Sequence, residues 1–312
     1  MAASIVRFRQ VDAFTRKPFT GNPAGVVPDA GRLTGSEMQN IAREINVSET
    51  VFILPAESEK NDLKLRWFTP TQEVDLCGHA TIAAFHVLAE EGQFDLEVNE
   101  PQSFRVETRV GVLTVDVEWF DLRPYIKFTI PPPRFFPYPG DIRYLCGALG
   151  LADIELSQKV KPQITGGGFC FVPVRNLDSL ETLEPNQHLL RKLNERHDLN
   201  GFAVVTTDTG DLEEDWVMRF FAPSLGIFED PVTGTANGPM AAFLWENGFL
   251  DTSSKKHFSF RALQGHNIGR PGIVHVNMVI KDEKVNLIQI AGEAVSVIEG
   301  NIRLHGDSTT RF

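Results

Sequence analysis

L-R-W-F-T-P-T-Q-E-V-D-L-C-G-H-A-T-I-A-A-F, residues 65–85, encodes a strand, a turn and the opening of an apolar helix. The strand is the Arg-aromatic-Phe run, closed by Pro70, whose missing N–H cannot continue a ladder. The helix is led by Gly78 and is apolar all round, so it belongs inside a domain and not on its surface. The same order recurs in M-R-F-F-A-P (218–223) followed by T-G-T-A-N-G-P-M-A-A-F (233–243), five residues longer between its Pro and its A-A-F. Upstream, the helical stretch 36–45 leads into V-S-E-T-V-F-I-L (47–54), and 189–195 leads into L-N-G-F-A-V-V-T (199–206). Three matching segments in one order point to an internal duplication.

Between the copies lies T-I-P-P-P-R-F-F-P-Y-P-G-D (129–141), with five prolines in thirteen residues. Fixed φ and missing donors make it a stiff, extended connection, neither helix interior nor central strand. The remaining segments alternate or run apolar between turn residues and read as strands: 103–108, 111–117, 125–130, 169–174, 258–262, 272–278, 285–290 and 295–304. Few long helices remain, about two per half. The expected fold class is therefore α+β: two domains, residues 1–131 and 132–312, each a curved mixed sheet or barrel around one central helix (80–88 and 236–245). The final strand, near Ile302, is expected to cross back to the first domain.

The chain has 312 residues, 42% of them hydrophobic and 23% charged, which is globular composition and excludes a disordered or coiled-coil protein. Thirty Lys+Arg against 41 Asp+Glu leave a net charge of −11. No cationic surplus exists to displace counterions, so nucleic acid and anionic membrane are not expected partners. Three scattered cysteines, Cys77, Cys146 and Cys170, make neither a disulfide framework nor a cysteine zinc site. With no apolar run near the start and no long apolar stretch elsewhere, a cytoplasmic location is expected.

Both Gly-led helix starts, Gly78-His79 and Gly234-Thr235, offer backbone N–H groups and the positive dipole end to an anion, or are ordinary capped ends. Glu49 stands where a helix hands over to an apolar strand. There it is a solvated loop end, or it is desolvated, with a raised pKa suited to acid/base work. Asp75 and Asp230 each precede a Gly-led helix, and His79, at a helix start, is expected to titrate near neutrality. Cys77 reads as a small apolar filler below its helix. Phosphate-loop, dinucleotide, zinc-protease and serine-elbow motifs are absent, and His79 and His86, seven apart on one apolar helix, make a poor metal pair. Metal ligation and cofactors are not expected, which leaves proton transfer.

The segments V-D-A-F-T…F-T-G-N-P-A-G-V-V (11–27), V-S-E-T (47–50), F-T-P-T-Q-E-V-D-L-C-G-H-A-T (68–81) and G-I-F-E-D-P-V-T-G-T-A-N-G-P (226–239) together resemble the phenazine-biosynthesis PhzF-like isomerase family, within the diaminopimelate epimerase superfamily. The resemblance implies a cofactor-independent isomerase of two similar domains, usually a homodimer, with its active site between them. It implies that Glu49 shuttles the proton and that His79 and Asp230 assist. Thr235 replaces the serine common at its position and keeps the hydroxyl. The diaminopimelate epimerase branch uses two thiols; here the partner of Cys77 is Thr233, which disfavours a two-thiol racemase. The expected reaction is proton-transfer isomerisation of a small carboxylate, with Gly78, Gly234, Thr235 and Asp75 lining its site. The alternatives are an amino-acid or hydroxy-acid epimerase using Glu49 with Cys77 or Asp230, and a non-catalytic small-acid binder of the same fold.

Overall fold

The computed structural model describes residues 4–93, 100–250 and 256–304, so the first three residues of the sequence reading lie outside it. The chain divides into two compact units: Met1–Phe19, Pro23–Phe128 and Gly292–Phe312 form the first, Thr20–Asn22 and Thr129–Ala291 the second.

The first unit begins with strands β1 (Ser4–Ala13) and β2 (Asn22–Val27). Helix α1 (Gly35–Ile45) starts in a capping box, with Thr34 accepting from the Glu37 N–H and Glu37 reaching back to Thr34. It buries Met38, Ile41 and Ala42 and ends at Asn46 in the left-handed conformation, φ 54°. Then follow β3 (Glu49–Leu54), β4 (Leu63–Phe68), β5 (Glu73–Val74), α2 (Gly78–Glu90), β6 (Gln102–Thr108), β7 (Gly111–Phe120) and β8 (Arg123–Ile130). β2 runs parallel to β3, and β3 antiparallel to β4. β4 pairs antiparallel with β5 and parallel with β6, and β6, β7 and β8 form an antiparallel meander. Helix α2 is buried on every side from Gly78 to Ala89, as its uniform apolarity requires.

The second unit contains β9 (Phe135–Pro137), α3 (Ile142–Leu149), β10 (Gln163–Thr165), β11 (Phe169–Pro173), α4 (Leu177–Glu181), α5 (Gln187–His197), β12 (Gly201–Thr206), β13 (Trp216–Ala222), β14 (Ile227–Asp230), α6 (Gly234–Glu246), β15 (His257–Gln264), β16 (Gly272–Lys281) and β17 (Lys284–Gly292). β11 runs parallel to β12, and β12 antiparallel to β13. β13 pairs antiparallel with β14 and parallel with β15, and β15, β16 and β17 form an antiparallel meander. This is the pairing order of the first unit, strand for strand. In each unit the motif arginine holds a glutamate bidentately and lies over a phenylalanine ring. Arg66 pairs with Glu73 and sits 5.1 Å from Phe68; Arg219 pairs with Glu229 and sits 5.1 Å from Phe221. The last strand, β18 (Ala294–Leu304), lies antiparallel along β1, from Ser4 opposite Leu304 to Ala13 opposite Ala294.

The proline-rich segment contains a short strand, β9, which pairs with β10 and ends at Pro137, where no further N–H is required. Among the described residues, the second unit has two long helices, α5 and α6, and α3 and α4 add one or two turns each. Asp141 and Asn176 cap them by accepting from Arg143 and Ser179. Among the described residues no helix is long and apolar enough to cross a membrane.

Candidate active site

In the first unit, the turn at Asn46 releases the chain so that Ser48 and Glu49 meet the opening of α2. Glu49 is the first residue of β3, opposite Ala24 of β2, with Val51 and Phe52 behind it in the core. The neighbouring strand must come close: a Cβ on Gly25 would stand 2.6 Å from Thr50 Oγ1, so a side chain there would push on the strand carrying Glu49. Glu49 Oε2 lies 3.2 Å from His79 Nε2, with side-chain exposures of 13% and 6%. Ser48 Oγ lies 3.3 Å from the same ring nitrogen and from Pro23 O. Cys77 Sγ lies 3.4 Å from His79 Nδ1.

The sequence reading that His79 titrates near neutrality is corrected here. Burial drives its pKa down to about 3, so the imidazole is neutral. A neutral ring has one N–H. That proton can sit on either ring nitrogen: Nε2 faces Ser48 Oγ at 3.3 Å, and the Cys77 thiol lies 3.4 Å from Nδ1 and 3.8 Å from Nε2. Cys77 is therefore a partner of His79 as well as a filler. It is also the N-cap of α2, and its side chain makes no capping bond to the first-turn N–H groups.

In the second unit, Asp230 ends β14 and is 5% exposed. Asn22 Nδ2 donates to its Oδ1 at 2.9 Å and Thr233 Oγ1 to its Oδ2 at 2.5 Å. Behind it runs a buried chain of amides. Gln264 Nε2 donates to Asp230 O (2.8 Å) and Thr233 Oγ1 (3.0 Å), while its Oε1 accepts from Thr233 N and Asn237 Nδ2, both at 2.9 Å. Trp216 Nε1 donates to Asn237 Oδ1 at 2.9 Å. Thr233, the N-cap of α6, spends its hydroxyl on Asp230 and makes no side-chain cap. Gly234 is buried and Thr235 half-buried. Asp75, expected near the substrate, is half-exposed in an ion pair with Arg109 at 2.5 Å.

Burial pushes the Asp230 carboxyl up to about 6, against the donors Thr233 and Asn22. Asn22→Leu removes a bond made to the ionised form, so the Asp230 pKa is expected to rise further, by about one unit. Carboxyl-carbon NMR titration checks this, and an unchanged value would show that Asn22 exerts no control.

The two buried groups act oppositely on stability. As pH falls below the unfolded value of 6.5, the unfolded chain protonates at His79 first, and stability is lost down to about pH 3. Asp230 takes its proton in the folded chain near pH 6 but in the unfolded chain only near 3.8, so it adds stability as pH falls between those values. His79→Gln is expected to flatten the acid-side loss, and Asp230→Asn to deepen it. Urea denaturation at pH 4 and pH 7 reads both.

Sequence reasoning missed Ser48, Asn22, Thr233, Gln264, Asn237 and Trp216 as site residues. Ser48 adjoins Glu49, and Asn22 and Thr233 lie inside the quoted motifs, whereas nothing local marks Gln264 or Trp216.

The family described as phenazine biosynthesis-like protein matches residues 11–300. An uncharacterized isomerase of Clostridium acetobutylicum is 39% identical over 302 residues, 95% of this chain and 97% of that protein. The crystal structure of a PhzF-family phenazine biosynthesis protein of Bacillus anthracis superposes with a TM-score of 0.86 at 33% identity, over 96% of this chain and 99% of that one. A hydroxyproline epimerase of Agrobacterium vitis, at 13% identity and a TM-score of 0.62 over 96% of this chain and 93% of that one, shares the fold alone. With its motifs, strand order and near full-length matches in agreement, the chain belongs to the phenazine biosynthesis-like (PhzF) family and is an isomerase.

Proposed function

We propose that the protein moves a proton on a small carboxylate-bearing substrate, by general acid/base catalysis and without a cofactor. The observation that carries this reading is the shielded Glu49 carboxylate beside a neutral His79 at the opening of α2. A shuttle must accept a carbon-bound proton and return it before water takes it, and a nearly buried carboxylate on a rigid strand suits that task. His79, neutral and fixed between Glu49 and Cys77, orients the carboxylate without neutralising it. The first-turn N–H groups at Gly78 and His79 suit a substrate carboxylate. To Gly234 and Thr235 we assign anion contacts, from the helix start they form, and to Asp230 the positioning of polar substituents, from the sequence resemblance. We also propose an internal duplication, from the matching strand order of the units, a homodimer, from the resemblance, and a cytoplasmic location.

A panel of small unsaturated, amino and hydroxy acids incubated with the enzyme in deuterium oxide tests the proposal. One or more should gain deuterium at carbon in step with isomerisation. Binding without exchange across the panel would favour a non-catalytic small-acid binder. A second reading, epimerisation, is favoured by one contact: Cys77 Sγ, 3.4 Å from His79 Nδ1, is a second acid close to Glu49. Product chirality in the same experiment separates the two.

A further inference from the structure

Glu49, Cys77 and His79 place a carboxylate oxygen, a thiol sulfur and an imidazole nitrogen all within 4.8 Å of one another. Among the described residues, no other three His, Cys, Asp or Glu side chains meet this way. We infer that this trio is a capture site for a borderline-soft divalent cation, zinc above all, whose binding blocks the proton shuttle.

The donor types and spacings, with the ring turned, match what zinc requires. Bond lengths of about 2.3 Å to sulfur, 2.0–2.1 Å to nitrogen and 2.0–2.2 Å to carboxylate oxygen set tetrahedral ligand separations of roughly 3.3–3.6 Å. The observed separations are 3.8 Å from Cys77 Sγ to His79 Nε2 and 3.2 Å from that nitrogen to Glu49 Oε2. Cys77 Sγ is also 3.4 Å from Nδ1, so it lies beside the ring and off the Nε2 lone pair; a turn of the His79 ring about its Cβ–Cγ bond, with a turn of the Glu49 side chain toward the sulfur, completes three corners. The fourth stays open for water or the carboxylate of a ligand, as in sites with three protein ligands.

The backbone already holds the corners. Cys77 and His79 flank the first residue of α2, a helix fixed by burial on all sides, and Glu49 opens the strand β3. The mixed sulfur, nitrogen and oxygen set selects zinc and its neighbours over magnesium or calcium, which prefer oxygen alone. Binding releases the thiol proton to solvent, places the single imidazole proton on Nδ1 so that Nε2 can ligate, and occupies the oxygen that would take the substrate proton. The inhibition rests on the proton-transfer reading above; the binding does not.

Cobalt(II) is the probe. Titrated into the full chain, it should give one equivalent with a thiolate-to-metal charge-transfer band and the strong visible bands of a four-coordinate site, and zinc should abolish both. Cys77→Ser should lose the charge-transfer band, and Glu49→Gln should weaken cobalt binding at least ~10-fold. Cys146→Ala/Cys170→Ala removes only thiols buried in the apolar core of the second unit and should keep the full signal. Circular dichroism of each variant shows whether it has folded. A wild-type protein without the band, or a band that survives Cys77→Ser, overturns the site. Zinc that binds at the trio of a protein showing no deuterium exchange would leave the site standing and sink the proposed activity. Exchange that continues unchanged with zinc bound would sink the blockade.

Discussion

Glu49→Gln is expected to cut deuterium exchange and turnover by at least ~100-fold while carboxylate binding changes little. The amide keeps the shape of the carboxylate and its place beside His79 Nε2, which lies 3.2 Å from Glu49 Oε2. The substituted side chain cannot take a proton from carbon, because an amide is orders of magnitude less basic. The proposed carboxylate contacts are backbone N–H groups of α2, which the substitution leaves in place, so binding and chemistry should separate. Calorimetry with a small acid and NMR exchange on one preparation measure both. Loss of binding and exchange together would make Glu49 a structural support for the loop. Exchange at the wild-type rate would remove it from the mechanism altogether.

Much of this was legible because it is local. The R-W-F and R-F-F strands and the Gly-led apolar helices each follow from a short run of residues whose periodicity has only one good burial pattern. Glu49, His79 and Asp230 stand beside those elements and were accessible for that reason. What the sequence hid depends on long-range folding. Gln264 lies 34 residues beyond Asp230, and Asn22 lies 208 residues before it; only the folded second unit turns them toward one carboxylate. Glu49 and Cys77 are likewise separated by an entire strand pair, so no ligand spacing announced their convergence. The pKa of His79 failed for the same reason: titration near neutrality assumes water around the ring, and burial from every side of α2 is a tertiary property.

Arg219 and Glu229 should give the largest stability losses. Arg219 Nε and Nη2 meet Glu229 Oε1 and Oε2 at 2.9 and 2.8 Å, with side-chain exposures of only 8% and 5%. Nη1 donates to Leu180 O and Leu183 O, both at 3.1 Å, tying the end of α4 to β13. Glu229→Ala leaves that guanidinium buried with its countercharge gone, which typically costs 3–5 kcal/mol. The double variant Arg219→Met/Glu229→Leu removes both charges and fills the volume with apolar atoms, so it should recover most of the loss. The pair Arg66–Glu73, with exposures of 26% and 20%, is partly solvated. Glu73→Ala should cost less, on the order of 1 kcal/mol. Urea denaturation at neutral pH ranks the three. If Glu229→Ala costs no more than Glu73→Ala, burial does not set the strength of these pairs. The consequence reaches the site as well: Glu229 precedes Asp230 on β14, so releasing it frees the strand end that aims the Asp230 carboxylate. Glu229→Ala should therefore shift the Asp230 titration away from pH 6, toward the value of a solvated carboxylate, whereas Glu73→Ala should leave it unmoved.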